Sequence, residues 1–314
     1  MKESDEFLIL QKFFKRLGSR YTDSSNVLVG PGDDAGLFSV KNSDLVFSTD
    51  VSNEDIHFPK KLDADLIAYR SCAVAASDIA ASGAALKWIS ISLVTPHNRI
   101  DWLKKFAKGI ELFTKTYKVP VIGGDLVRGK ECSISVGVCG EIKKELFLSR
   151  KGARIGDSIY VSGKLGLAKL GLKLSTSKKN KFSSLEKESL EKFLKPKIHI
   201  SLGINLRKIA NSCIDISDGL LGDLDHICKA SRVGAKLEKE LIPFVGSFEE
   251  AMTWGDDYEL CFTVPRNKER KLKEISKKTK IKLYKIGKIV SGKSIEIFQN
   301  KQTILLNKKS YNHF

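Results

Sequence analysis

The sequence has no Cys-x-x-Cys pair, and no apolar run approaches the roughly 20 residues that cross a bilayer. Its six cysteines (Cys72, Cys132, Cys139, Cys213, Cys228 and Cys261) are scattered, which excludes a zinc ribbon or a disulfide scaffold and predicts reduced, mostly buried thiols. The start, "MKESDEF", carries no basic region followed by an apolar segment, so a cytoplasmic protein without membrane attachment is expected. No aromatics are interleaved with the lysines of the basic runs 175–182 and 267–282, and acids are mixed into the second. The net charge of +17 is therefore assigned to solvated loops and helix faces rather than to a nucleic-acid groove.

What is present is ample core material: 314 residues and 42% hydrophobic content suffice for one large domain or two ordinary ones. "DEFLILQKFF" spaces Phe7, Leu10, Phe13 and Phe14 as a short amphipathic helix. "NVLVGPGDDAGLF" predicts a strand broken by Gly-Pro-Gly, and "DLVFSTDV" a strand ending in Ser48, Thr49 and Asp50. An alanine-rich helix is expected from about Asp63 to Gly83, packed closely on a sheet. "WISISLV" alternates with the period of a half-buried strand, "RIDWLKKFAKGIELFTKTY" returns to helical spacing, and "PVIGGDLVRG" predicts a buried strand ending in a Gly-Gly-Asp turn. Strands and helices mix throughout, giving an α/β or α+β protein, with one unit over 1–144 and a second α/β unit over 145–314.

"GKIVSGKS", Gly287 to Ser294, matches the phosphate-loop pattern G-x-x-x-x-G-K-[ST] literally. That loop works only between a strand and a helix whose N-terminus faces the phosphates. Here strand-like residues flank both sides, so a surface hairpin through Ser291-Gly292-Lys293 is predicted, and phosphate must be handled elsewhere.

The informative residues are acids beside small residues: Asp33 and Asp34 after "GPG", Asp50 in "STD", Asp78 in "ASD", Asp125 after "GG", Asp215 and Asp218 in "DISDG". Each alone is explained as a turn or helix-cap residue; Asp218 could simply cap the helix after it. Their recurrence at strand ends points to oxygen ligands for hard divalent cations, since carboxylates brought together are unfavourable without metal.

"GPGDDAGLF", "FSTDVSNEDIHF", "AVAASDIAASGA", "VIGGDLVRG", "RKGARIGDSIYVSG", "DISDGLLGDLDHI" and "GDDYELCFTVP", in this order from about residue 5 to Phe314, resemble the thiamine-monophosphate kinase family of the aminoimidazole ribonucleotide synthetase superfamily. The resemblance implies a two-domain α/β fold that dimerises through the N-terminal domain, pooling strands into a shared β-barrel, with ATP in a groove between domains. It implies Mg²⁺ ligands at Asp34, Ser48, Thr49, Asp50, Asp78, Asp125, Asp215 and Asp218, with Asp50 and Asp78 nearest the chemistry. It implies ATP contacts at Gly124, Asp125, Arg150 and Ser217, and thiamine monophosphate contacts at His57, Asp256 and Tyr311. No general base is expected. Asp256 stands where the family usually has Glu in Gly-Gly-Glu-Asp-Tyr, and Tyr311 where relatives carry Trp. The implied reaction is ATP-dependent conversion of thiamine monophosphate to thiamine diphosphate. Two other readings are another ATP-using synthetase of the superfamily, acting on formylglycinamidine ribonucleotide or selenide, and a nucleotide-binding non-enzyme. Selenide chemistry expects an early cysteine, and the first here is Cys72, inside a helix.

Overall fold

The computed structural model describes residues 26–29, 33–96, 99–306 and 310. The amphipathic helix expected at the N-terminus lies outside them. The first half runs β1 (Val27–Val29), β2 (Gly36–Ser39), β3 (Asp44–Asn53), α1 (Ala64–Ala81), β4 (Ala85–Thr95), α2 (Ile100–Tyr117), β5 (Val121–Arg128) and β6 (Ser133–Ile142). The second begins with β7 (Ser158–Val161), α3 (Leu167–Ser175), α4 (Ser184–Leu194), α5 (Ile200–Leu206), β8 (Ser212–Asp215) and α6 (Leu220–Ser231). It continues with β9 (Gly234–Glu238), α7 (Phe248–Thr253), β10 (Leu260–Val264), α8 (Glu269–Thr279), β11 (Tyr284–Val290), β12 (Ile295–Gln299) and β13 (Gln302–Ile304). The mixed α/β class expected from the sequence is therefore the class observed.

The strands form two sheets, ordered β1-β2-β3-β6-β4-β5 and β13-β12-β9-β11-β7-β10-β8. α1 is buried almost all round, as an alanine-rich helix clamped between layers must be, and it touches β3, β4 and β6 on one side and β8 and α5 on the other. One apolar core consequently runs through both halves: Ile79 of α1, Ile134 of β6, Leu202 of α5 and Phe262 of β10 belong to it. A second core, with Leu224, Ile227 and Ile286, lies within the C-terminal half.

Two sequence expectations are corrected. β5 is not buried and does not turn at Gly-Gly-Asp: Gly123, Gly124 and Asp125 lie inside the strand, which is exposed along its whole length in the single chain. β5 pairs parallel with β4 on one side only, and a Cβ on Gly124 would strike the Ile91 carbonyl, so glycine serves close backbone approach here, not reversal. The second correction concerns "GKIVSGKS". No helix follows it, as expected, but β11 and β12 do not form a hairpin. β9 runs between them, antiparallel to β11 and parallel to β12, so Ser291-Gly292-Lys293 crosses over the start of β9.

Candidate active site

Three acids from distant parts of the chain converge. Asp34 lies just before β2, Asp78 on the last turns of α1, and Asp215 at the end of β8; each offers a carboxylate oxygen within 4.8 Å of the others. α1 makes this possible, since it is the helix that bridges the two sheets. Ser48 Oγ, from β3, donates to Asp78 Oδ2 at 2.5 Å. Arg150 donates through Nε and Nη2 to Asp34 Oδ1, at 3.0 and 2.6 Å. Asp33 holds the loop from beneath, accepting from the Arg150 backbone N–H at 3.1 Å and from Ser149 Oγ at 2.5 Å.

Burial lifts the carboxyl groups above their ordinary range. Asp34 is pushed up to about 7, by burial first; the Arg150 charge opposes this, and the neighbouring Asp215 and Asp33 add to it. Asp50 rises to about 6 through burial and Asp218, and Asp215 to about 6 through burial and the Asp50 charge. Asp78 is raised well above the carboxylate range by burial and by Asp50, Asp215 and Asp34. Asp34 Oδ2 is buried with no hydrogen-bond partner among the described residues. A cluster of oxygen donors with one orphaned oxygen and one arginine for counter-charge has the chemistry of a divalent-cation site, and Mg²⁺ fits the donor set.

Beside the trio opens a cavity of about 480 Å³ lined by residues of both halves, among them Asp50, His57, Asp78, Asp215, Ser217 and Asp218. His57 Nδ1 accepts from the Asn53 backbone N–H at 3.0 Å, which fixes its ring on the cavity edge. Asp223, buried in the first turn of α6, accepts the Asp218 backbone N–H at 3.1 Å and so sets that acid's place. Thr49 is exposed, on the opposite face of β3 from Ser48 and Asp50 by the alternation of the strand. Gly124 and Asp125 sit on exposed β5, where among the described residues Asp125 Oδ1 accepts only its neighbour's Leu126 N–H, at 2.8 Å. Tyr311 lies outside the described residues.

The far wall is built by the turn Gly255–Glu259. Gly255 has φ +85°, and a Cβ there would collide with the Ser217 carbonyl, so only glycine lets this turn lie against the "DISDG" loop. The two are zipped together: Asp256 N–H donates to Ser217 O at 2.7 Å, Tyr258 N–H to Ile216 O at 2.8 Å and Ile216 N–H to Glu259 O at 2.7 Å. Successive side chains then reach different helices. Asp256 pairs with Arg70 of α1. Asp257 accepts the N–H groups of Gly166 and Ala168 at the start of α3, at 2.8 and 3.3 Å. Glu259 meets Lys192 of α4, His199 Nε2 at 2.7 Å and Ser162 Oγ at 2.5 Å, and although burial pushes the other way, the Lys192 charge and these contacts hold its carboxyl well below the usual range.

Sequence reasoning missed Arg70, Phe193, Trp254 and Tyr258, all of which line the cavity. Arg70 alone carried a signal, as the single cation within the apolar stretch of α1, because a buried arginine needs a partner. The aromatics look like ordinary core residues in sequence.

The described site can be set beside known proteins. Residues 32–142 match the AIR synthase related protein, N-terminal domain, and residues 154–300 the AIR synthase related protein, C-terminal domain. A thiamine-monophosphate kinase of Buchnera aphidicola subsp. Acyrthosiphon pisum is 39% identical, with 98% of each chain covered. The thiamine-monophosphate kinase of Escherichia coli (strain K12) is 33% identical, again with 98% of each covered. The solved structure of AaThiL complexed with AMPPCP and TMP superposes with a TM-score of 0.84 at 29% identity, covering 100% of this chain and 98% of that one. Matched along both halves, with its acids gathered where those halves meet, the chain belongs to the thiamine-monophosphate kinase family of AIR synthase related proteins.

Proposed function

We propose that this chain transfers the γ-phosphoryl group of ATP directly to the phosphate of thiamine monophosphate, yielding thiamine diphosphate and ADP in the cytoplasm. The observation that carries the reading is the convergence of Asp34, Asp78 and Asp215 at the edge of a cavity with both polar and aromatic walls. The relatives named as thiamine-monophosphate kinases, and the related structure holding AMPPCP and TMP, support the same reaction.

The acceptor needs no strong base, because a phosphate monoester with a second pKa of about 6 is largely dianionic at neutral pH. The barrier is repulsion between two polyanions. Mg²⁺, held by Asp34, Asp78 and Asp215 with Asp50, Asp218, Ser48 and Asp125 as further ligands, would supply charge neutralisation and alignment of donor and acceptor, whereas the Thr49 side chain points to the other face of β3. The chain's own residues do the rest. Arg150 adds a fixed positive charge beside the trio, and with Gly124, Asp125 and Ser217 forms the nucleotide contacts. His57 and Asp256 face the acceptor, and Tyr311 completes that side. The aromatic walls exclude water from the phosphates, which favours transfer over hydrolysis.

The active unit is a homodimer. β5 offers an unpaired edge and exposed Val121, Ile122, Leu126 and Val127, and such an edge is stabilised when a second copy covers it. The reaction is tested by following ADP formation with Mg²⁺ and either thiamine monophosphate or thiamine as acceptor. Turnover is expected with the phosphate ester and little with the free alcohol; equal turnover on both would overturn direct phosphate-to-phosphate transfer.

A further inference from the structure

Arg70 sits in the middle of α1, a helix lined mostly by apolar residues and packed between the two sheets, and its side chain is only 4% exposed. It takes no part in the acidic trio or in the nucleotide contacts. Its Nη1 donates to the Phe193 carbonyl at 2.6 Å, and its Nη2 reaches Oδ1 of Asp256. The guanidinium lies 4.3 Å from the centroid of the Phe193 ring and 6.0 Å from that of Tyr258. All of these residues line the cavity.

A buried guanidinium is tolerated only when its donors are satisfied, and removing either member of such a pair leaves the other charge uncompensated. Here the partner is not a core residue. Asp256 keeps 20% of its side chain exposed, and its Oδ2 takes no hydrogen bond among the described residues. The pair therefore presents one anchored, charge-balanced carboxylate to the cavity, with a single oxygen still able to accept. The fork of Arg70 matters, because one nitrogen is pinned by Phe193 O and the other can then point only one way.

We infer that Arg70 is a positioning and specificity residue of the acceptor pocket: it fixes Oδ1 of Asp256 so that Oδ2 faces an N–H donor on the organic part of the acceptor. Thiamine monophosphate carries such a donor in the exocyclic amine of its pyrimidine. This assignment rests on the phosphotransfer reading above. It also gives the pocket a reason to bury a charge pair rather than an apolar contact. Neutralised by Arg70, Asp256 selects a hydrogen-bond donor without drawing the acceptor bodily away from the acidic trio.

The test is steady-state kinetics in both substrates for the unaltered enzyme, Arg70→Gln, Arg70→Lys, Asp256→Ala and the double variants. Arg70→Gln is expected to raise the KM for thiamine monophosphate about tenfold, with the KM for ATP and kcat changed less than about threefold. Arg70→Lys, which keeps the charge but loses the fork that aims Oδ1 of Asp256, should recover only a small part of that loss. In an Asp256→Ala background neither change at Arg70 should raise the acceptor KM further, because residues that act as one unit are not additive. Asp256→Ala keeps the Arg70 contact to Phe193, so the comparison survives if Arg70→Gln does not fold: Arg70→Lys with its double variant then decides. An unchanged acceptor KM, a parallel rise in the KM for ATP, or multiplicative effects in the double variants would overturn the role of Arg70. If the unaltered enzyme formed no ADP with thiamine monophosphate, the kinase reading itself would fall, and this assignment with it.

Discussion

Arg150 grips one oxygen of Asp34 and leaves the other bare: Nε and Nη2 both meet Oδ1, at 3.0 and 2.6 Å, while Oδ2 is buried without a partner among the described residues. Asp34 rises to about 7 and Asp50 and Asp215 to about 6, from an ordinary value of 3.8. The folded, metal-free chain thus binds more protons than the unfolded one between these limits. Its stability should fall as pH rises from about 4 to about 7. A Mg²⁺ ion held by these acids would replace those protons, so its stabilising effect should be larger at pH 7.5 than at pH 5. Calorimetric melting with Mg²⁺ or with chelator at each pH checks this; a chelated protein that gains stability across that range would contradict it.

Asp50→Asn keeps the shape of the side chain and removes its charge. It should lower kcat by about 100-fold or more with the melting temperature little changed or raised, since a crowded acid is relieved. Lys293→Ala should leave both substrates' constants within about twofold, because its crossover precedes a strand, not a helix. Loss of ATP binding in the Lys293 variant, with full activity in the Asp50 variant, would reverse the placement of the nucleotide.

Leu126→Glu on β5 places a charge where an apolar edge is exposed, 60% for this residue. If β5 is the edge of the proposed homodimer, the variant should sediment as a monomer at concentrations where the unaltered chain sediments as a dimer, with unchanged circular dichroism. An unchanged dimer would move the interface elsewhere.

Much of this was legible in the sequence because it is written locally. Alternation over "WISISLV" and the alanine content of 64–81 announce β4 and α1, and the acids of the trio stand in short local patterns: Asp34 after Gly-Pro-Gly, Asp78 among small residues, and Asp215 in "DISDG". What escaped depends on partners distant in sequence. An apolar "VIGGDLV" has the composition of a buried strand, and nothing in those residues tells that β5 stands at the open edge of its sheet. The strand between β11 and β12 comes from residues 234–238, which no reading of 284–299 can supply. Arg70 meets Phe193 and Asp256 only after the fold has formed.

Asp257→Ala removes the acceptor for two backbone N–H groups at the start of α3, both shielded from water. Each orphaned donor costs about 1–3 kcal/mol, so the loss of both should destabilise the chain by about 2–6 kcal/mol. Chemical denaturation would show a lower midpoint with an unaltered slope. A loss below about 0.5 kcal/mol would mean that water reaches the helix end.

The turn Gly255–Glu259 fastens α1, α3 and α4 to the loop that carries Asp215 and Asp218, through consecutive side chains. The walls of the cavity therefore have no hinge of their own on this side. Heating should abolish catalysis and tertiary structure in one cooperative step, with no temperature window in which a folded enzyme has already lost its acceptor site.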